Sequence, residues 1–273
     1  MTEAWTQAWR RAEVRAQRSV ARGTQLTEVG IPDDLPFPFE PGHVVSLRAA
    51  TPAGVVRHPY TVSGADPSAR SLALVYRVIP GGRLTPTLSA LAPGAALEVS
   101  GLHHQPIRLE VDPTADIILG AATSSGLGPL WGYAARALGD GEARPIHLVV
   151  GVREAADLPL VAELEALAAR HPHFRWTPVL SHPDGGWAGR RGRIPEHLPE
   201  LLSDPAAAHL HAVGNLGLIR TLEAAWGAAG LPERRFSSEG FFNWNAEADP
   251  EAARDLAERF RERLAPDLSR QHR

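Results

Sequence analysis

Tyr60 and Thr61 lie in the run Arg57-His58-Pro59-Tyr60-Thr61-Val62-Ser63, which places an aromatic ring, two further hydroxyls and an imidazole at the start of a strand-like segment. A flat heteroaromatic ligand needs a ring to stack on and donors at its polar edge, and this segment offers both. The same residues also suit an ordinary strand. A second run, from Tyr76 to Pro86, contains Pro80-Gly81-Gly82-Arg83-Leu84-Thr85. Gly81 and Gly82 would let backbone N–H groups approach an anion, Thr85 suits a helix N-cap and Pro86 its first turn, so a pyrophosphate would be accommodated there. A plain glycine hairpin leading into a capped helix explains the same letters.

Farther along, Leu119 to Pro129 is a loop of small residues that includes Thr123, Ser124, Ser125 and Gly126, and it connects a strand-like run to a helical one. This is where an open α/β sheet receives a nucleotide pyrophosphate, although the spacing is not that of the G-x-G-x-x-G fingerprint. Val213-Gly214-Asn215-Leu216-Gly217 again sets glycines at the carboxyl end of a strand, facing the same crevice. His103 and His104 adjoin with no third ligand placed beside them, and solvated side chains account for them better than a metal site.

The elements that would position these residues fall into two patterns. Short apolar runs at 11–20, 25–29, 43–47, 60–63, 71–78 and 95–99 are punctuated by Gly and Pro, which predicts an all-β antiparallel barrel. Beyond Pro113, runs at 116–120, 146–151, 174–180 and 209–214 alternate with helical stretches at 129–138, 157–170 and 217–229. That alternation predicts an α/β doubly wound parallel sheet. Asp157 reads as a helix start. The expected domains are residues 1–112, 113–242 and a helical extension at 243–273, in which Ala252, Leu256, Phe260 and Leu264 form one apolar stripe.

The chain has 273 residues, a net charge of -3 and a pI near 6.5, which argues against a nucleic-acid partner. No run approaches the roughly 20 apolar residues that span a bilayer, so no membrane role and a cytoplasmic location are expected. Cys is absent, which excludes disulfides, thiolate metal sites and a cysteine nucleophile. Redox chemistry would require a bound cofactor.

In this order the segments resemble the ferredoxin-NADP reductase family over roughly residues 10–242. The family's flavin motif of Arg, any residue, an aromatic and Ser or Thr resembles His58-Pro59-Tyr60-Thr61, with the His-Pro-aromatic-Thr form of the ferric reductase and NADPH oxidase branch. Its flavin-pyrophosphate segment is similar to Pro80 through Thr85, and the end of its barrel to Leu91-Ala92-Pro93-Gly94 through Ser100-Gly101. Its nicotinamide motif is similar to Ser124-Ser125-Gly126-Leu127-Gly128-Pro129, with Ser in two places. The stretches Val150 to Glu154 and Gly189 to Arg193 resemble those that hold the adenosine half of the coenzyme. Val213 stands where the family often has Cys, and Ser238-Glu239-Gly240-Phe241-Phe242 resembles its closing Glu and aromatic pair.

The resemblance implies an enzyme, a ferredoxin/flavodoxin-NAD(P) reductase-like oxidoreductase that moves a hydride from NAD(P)H to FAD and passes electrons to a carrier protein such as ferredoxin or flavodoxin. Tyr60 would stack on the flavin, Thr61 would bond near its N5, and His58 would face the ribityl phosphate side, with Pro59, Ser63 and Tyr76 beside them. Gly81, Gly82, Arg83, Leu84 and Thr85 would cradle the pyrophosphate. Thr123, Ser125, Gly126, Gly214, Asn215 and Phe242 would hold the coenzyme, with Glu239 behind the nicotinamide and no metal required. Arg153, Arg190 and Arg191 would favour NADPH over NADH. The alternatives are a reductase component for an oxygenase or haem protein, and a non-catalytic NAD(P)-binding or docking module. The extension should fold on the body or on a second subunit and restrain Phe242, so that removing it alters coenzyme affinity, flavin exposure or oligomeric state.

Overall fold

The computed structural model describes residues 8–33, 36–52, 54–101, 105–202, 204–242 and 245–264. His103 and His104 lie outside the described residues.

The expected antiparallel barrel is observed. Strands β1 (Arg10–Ala21), β2 (Thr24–Gly30), β3 (Val44–Thr51), β4 (Gly54–Asp66), β5 (Ser71–Arg77) and β6 (Ala96–Ser100) close in the order β1-β2-β5-β4-β3-β6. The pleat sends alternate side chains inward, so β1 buries Ala12 and Val14 while Arg11, Glu13 and Arg15 face out. Val45, Leu47, Leu72, Leu74 and Val99 meet them in the core. The short helix α1 (Thr85–Ala90) caps this core with Leu88, helped by Leu84 just before it, and α2 (Ile107–Glu110) is a single turn.

Helices α3 (Leu127–Gly139) and α4 (Val161–Arg170) belong to the same compact unit as the barrel, which comprises residues 1–110, 124–143 and 155–172. Two helical glycines explain the docking of α3. A Cβ on Gly132 would stand 1.7 Å from the Ser63 carbonyl oxygen, and one on Gly128 would stand 2.4 Å from the Ser63 hydroxyl. Only a helix face without side chains can lie this close to β4. Helix α4 starts later than expected. Asp157 does not cap it; its carboxylate takes a bidentate ion pair from Arg22, at 2.9 and 2.8 Å, and Leu160 enters the helix at φ 59°.

The second compact unit holds a wholly parallel sheet of β7 (Ile117–Thr123), β8 (Ile146–Val152), β9 (Phe174–Leu180), β10 (Arg190–Arg191), β11 (Ala208–Asn215) and β12 (Phe236–Phe242), in the order β10-β9-β8-β7-β11-β12. The order runs outward from β7 to β10 and then returns to β11 on the other side of β7, so the switch of direction falls between β7 and β11. Helices α5 (Ile194–Leu201), α6 (Leu216–Ala228) and α7 (Pro250–Leu264) share one apolar core with Leu119, Val149, Val179 and Ala212. Elements β10, α5 and β12 were not among the expected runs. Pro195 and Pro199 obscure the helical period of α5, and β12 (Phe-Ser-Ser-Glu-Gly-Phe-Phe) lacks a regular alternation.

The extension folds on its own unit, against α5 and α6, through Ala253, Leu256, Ala257 and Phe260. Phe260 meets Trp226 edge to face, with ring centroids 5.9 Å apart. The stripe is shifted from expectation, because Ala252 and Leu264 are only partly buried while Ala253 and Ala257 are covered. Among the described residues no helix is long and apolar enough to cross a membrane.

Candidate functional site

On the barrel, Tyr60 and Thr61 are half-buried in the middle of β4, opposite Val45 and Val44 of β3. Tyr76 of neighbouring β5 supports the Tyr60 ring edge on, at 5.7 Å and 69° between planes. Tyr76 is itself buried, with its hydroxyl 3.1 Å from that of Thr27. It therefore holds the Tyr60 ring from its buried side. His58 and Pro59 are exposed, and the His58 ring lies 6.1 Å from that of Tyr60. Burial, with Tyr76 as the second cause, pushes the Tyr60 hydroxyl far above its ordinary pKa, so the ring presents a neutral face.

Ser63 departs from expectation. It is fully buried under Gly128, and its hydroxyl accepts the Val75 N–H at 3.2 Å, which makes it a packing residue. The glycine pair is a tight turn. Gly82 donates its N–H to Ile79 O at 2.8 Å, with Pro80 and Gly81 (φ 72°) between them, the arrangement of a type II turn. The Gly82 amide is thus spent on the turn, while open space surrounds Gly81 and Arg83 is exposed. Thr85 is not the N-cap either. Leu84 occupies that place with its side chain buried, and the Thr85 hydroxyl accepts the Ile79 N–H at 3.0 Å, closing the loop onto the helix.

In the sheet unit a cavity of about 560 Å³ opens at the carboxyl ends of the parallel strands, within the usual range for a small-molecule site. Thr123, Gly151 with Val152, Ser181 and Asn215 bring the ends of β7, β8, β9 and β11 into its wall. Two of these, Thr123 and Asn215, sit astride the point where strand order reverses, the position at which open α/β sheets take their ligands. The Asn215 N–H donates to the Thr123 hydroxyl at 2.9 Å, and the Asn215 side-chain oxygen caps α6 by accepting the Gly217 N–H at 2.8 Å. Between them Gly214 (φ 122°) leaves room for nothing larger, since a Cβ there would stand 2.3 Å from the Thr123 hydroxyl. Beside this edge, half-buried Glu239 pairs with Val213 in register, and exposed Phe242 with Asn215. Ser125 and Gly126 lie in the single turn that leads into α3.

The three arginines do not line this cavity. Arg190 donates to Glu200 at 2.6 Å and approaches His197 at 3.2 Å, Arg191 donates to the Trp187 carbonyl at 2.8 Å, and Arg153 is exposed. What the sequence reading missed is Ser181, Glu196, Thr221 and, from the extension, Glu247, Asp249 and Ala252. The rule that strand ends bind ligands would have found Ser181; nothing local pointed to the others. Among the described residues no group of three or more acidic or imidazole side chains could hold a metal ion.

A closed antiparallel barrel and a parallel sheet with a cavity at its switch point, carried by one chain, are the architecture of flavoprotein reductases that use a nicotinamide coenzyme. Residues 121–224 match the oxidoreductase NAD-binding domain family. Ferredoxin–NADP reductase B of Sorangium cellulosum is 30% identical over 218 residues, covering 77% of this chain and 88% of that protein. The reductase subunit of an aromatic O-demethylase from Amycolatopsis is 34% identical over 184 residues, covering 65% of this chain and 53% of the subunit. Among solved structures, an Amycolatopsis cytochrome P450 reductase superposes with a TM-score of 0.73 at 29% identity, covering 86% of this chain and 71% of that one. A Neisseria gonorrhoeae ferredoxin NADP+ reductase with bound FAD and NADP shares the fold, with a TM-score of 0.74 at 17% identity over 86% of this chain and 99% of that one. The chain belongs to the ferredoxin–NADP reductase family. It is an oxidoreductase, and the binding-only alternative falls away.

Proposed function

We propose that this chain takes a hydride from NAD(P)H onto FAD and hands the electrons to a carrier protein, with residues 1–112 holding the flavin, 113–242 the coenzyme and 243–273 an extension of the coenzyme domain. The observation that carries the reading is the cavity at the β7/β11 switch, which begins within the stretch matching an NAD-binding domain. The residues fit both groups. Half-buried Tyr60, held edge-on by Tyr76, offers a stacking face, and Thr123, Asn215 and Gly217 line the cavity at the strand ends, where an open α/β sheet takes a dinucleotide.

When bound, FAD supplies the hydride acceptor and the one-electron outlet that no side chain of this cysteine-free protein provides. The chain's own work is positioning. Tyr60 stacks, Thr61 bonds the ring edge, and His58 and Arg83 meet the phosphate side, where the open face of Gly81 leaves space. Thr123 and Asn215, locked to each other, fix the two strand ends against the coenzyme. Ser125 and Gly126, which follow Thr123 in the chain, would admit the nicotinamide, and Glu239 and Phe242 lie on β12 beside the end of β11.

Ferredoxin or flavodoxin is the first reading for the acceptor, from the likeness to the Sorangium reductase. An oxygenase or haem protein is the second, favoured by the higher identity to the O-demethylase reductase subunit. The charge balance and the lack of cysteine suit a cytoplasmic protein. The test is NAD(P)H-dependent ferricyanide reduction by the purified, FAD-loaded chain, followed by ferredoxin, flavodoxin and a haem protein as acceptors. Turnover that requires added or retained FAD supports the proposal. No turnover with either coenzyme would refute it.

A further inference from the structure

The family's NAD-binding domain accounts for residues 121–224, yet the cavity wall continues past it into the extension, through Glu247, Asp249 and Ala252. That segment is built in. Gly217 at the start of α6 offers no side chain, and a Cβ there would come within 3.4 Å of Ala246. One turn on, the Arg220 guanidinium donates to the Ala246 carbonyl. The Thr221 hydroxyl accepts the Asp249 N–H at 2.9 Å while donating to the Gly217 carbonyl at 2.8 Å. Asp249 then caps α7, its carboxylate accepting the N–H groups of Glu251 and Ala252 at 3.2 and 3.1 Å. The residues before α7 are thereby held at the rim of the coenzyme cavity.

The charged residues of the wall are Arg193, Glu196, Glu247 and Asp249, so acids outnumber bases there. Glu196 and Asp249 each accept backbone N–H groups at a helix start and keep their charge, whereas Arg190 and Arg191 are spent on Glu200 and on the Trp187 carbonyl. A 2′-phosphate brings a further charge of about −1.5 to −2 and calls for guanidinium forks. A ribose diol without it calls for an acceptor such as a carboxylate.

We infer that the extension makes this enzyme selective for NADH: Glu247 and Asp249 repel the 2′-phosphate of NADPH and favour the free ribose diol of NADH. This reverses the expectation drawn from Arg153, Arg190 and Arg191, and it rests on the cavity being the coenzyme site. The two coenzymes differ only in the 2′-phosphate, so their oxidised forms are the probes. Calorimetric binding of NAD+ and NADP+ to the full chain should give tighter binding of NAD+. In the double variant Glu247→Gln/Asp249→Asn, whose Asn keeps the helix cap, the NADP+ affinity should rise about tenfold relative to NAD+, from two partly screened charges worth roughly two- to fivefold each. The gain should shrink in high salt. A wild-type preference for NADP+, or an unchanged ratio in the variant, overturns the inference and leaves the function standing. Failure of the wild-type chain to bind either nucleotide overturns the coenzyme site itself.

Discussion

The backbone N–H of Asn215 donates to the hydroxyl of Thr123 at 2.9 Å, tying the end of β11 to the end of β7 where the strand order reverses. The same Asn215 starts α6 with its side chain, so one hydroxyl aligns a strand end, a helix start and the intervening Gly214. Thr123→Val keeps the shape and removes the acceptor, leaving a partly buried amide unsatisfied at about 1–3 kcal/mol. Coenzyme affinity should fall several-fold by titration while Thr123→Ser stays near wild type. Equal binding by the Val and Ser variants would contradict the role given to this bond.

Tyr60 tests the barrel side. Tyr60→Ala removes a stacking face worth on the order of 1 kcal/mol beyond its area, so FAD should dissociate at least fivefold more readily in a fluorescence titration. Tyr60→Phe, which keeps the edge contact with Tyr76, should retain the flavin. An alanine variant that holds FAD as tightly as wild type would remove Tyr60 from the flavin site.

Alternation of short strands, then of strands and helices, displayed both architectures in the sequence, because the periods of burial are local properties. Of the cavity wall, Thr123 and Asn215 were legible because each sits at the carboxyl end of a strand. The site was illegible where partners are distant. Arg190 pairs with Glu200 in the next helix, and Ser63 is buried by a helix that begins more than sixty residues later. Of the two glycines read as an anion loop, Gly81 uses its freedom of φ for a tight turn and Gly82 spends its amide closing that turn, while open space remains beside Gly81.

The extension belongs to the core of the parallel-sheet unit. Phe260 is fully buried against Trp226, and Phe260→Ala should cost about 3–5 kcal/mol. Truncation after Phe242 should accordingly destabilise the whole parallel-sheet unit, a larger effect than altered coenzyme kinetics. Thermal denaturation reads both outcomes; a truncated chain melting with the full-length protein would show that α7 is dispensable.

Two buried histidines make stability depend on pH. Burial first, then the guanidiniums of Arg175 and Arg190, lower His147 to about 4. Burial lowers His209 to about 4 as well, with Arg144 and Arg235 adding to it against the opposing Asp112. His209 accepts the Asp112 N–H at Nδ1 and therefore carries its proton at Nε2, toward the Ser237 hydroxyl. The unfolded chain takes up protons near pH 6.5 and the folded chain does not until about 4, so stability falls as pH drops through that window. The loss is at most on the order of 3 kcal/mol per histidine. Urea unfolding at pH 7.5, 6 and 5 should show the decline, and His209→Gln should lessen it and leave the His147 contribution; a pH-independent midpoint would contradict the neutral assignment.

The central claim is that this chain reduces a bound flavin with a nicotinamide coenzyme, and an anaerobic absorbance titration of the FAD-loaded protein tests it most directly. One equivalent of NADH per flavin should bleach the flavin bands, and NADPH should need a larger excess. A flavin spectrum that neither coenzyme changes, or a purified protein that takes up no FAD, would contradict the account.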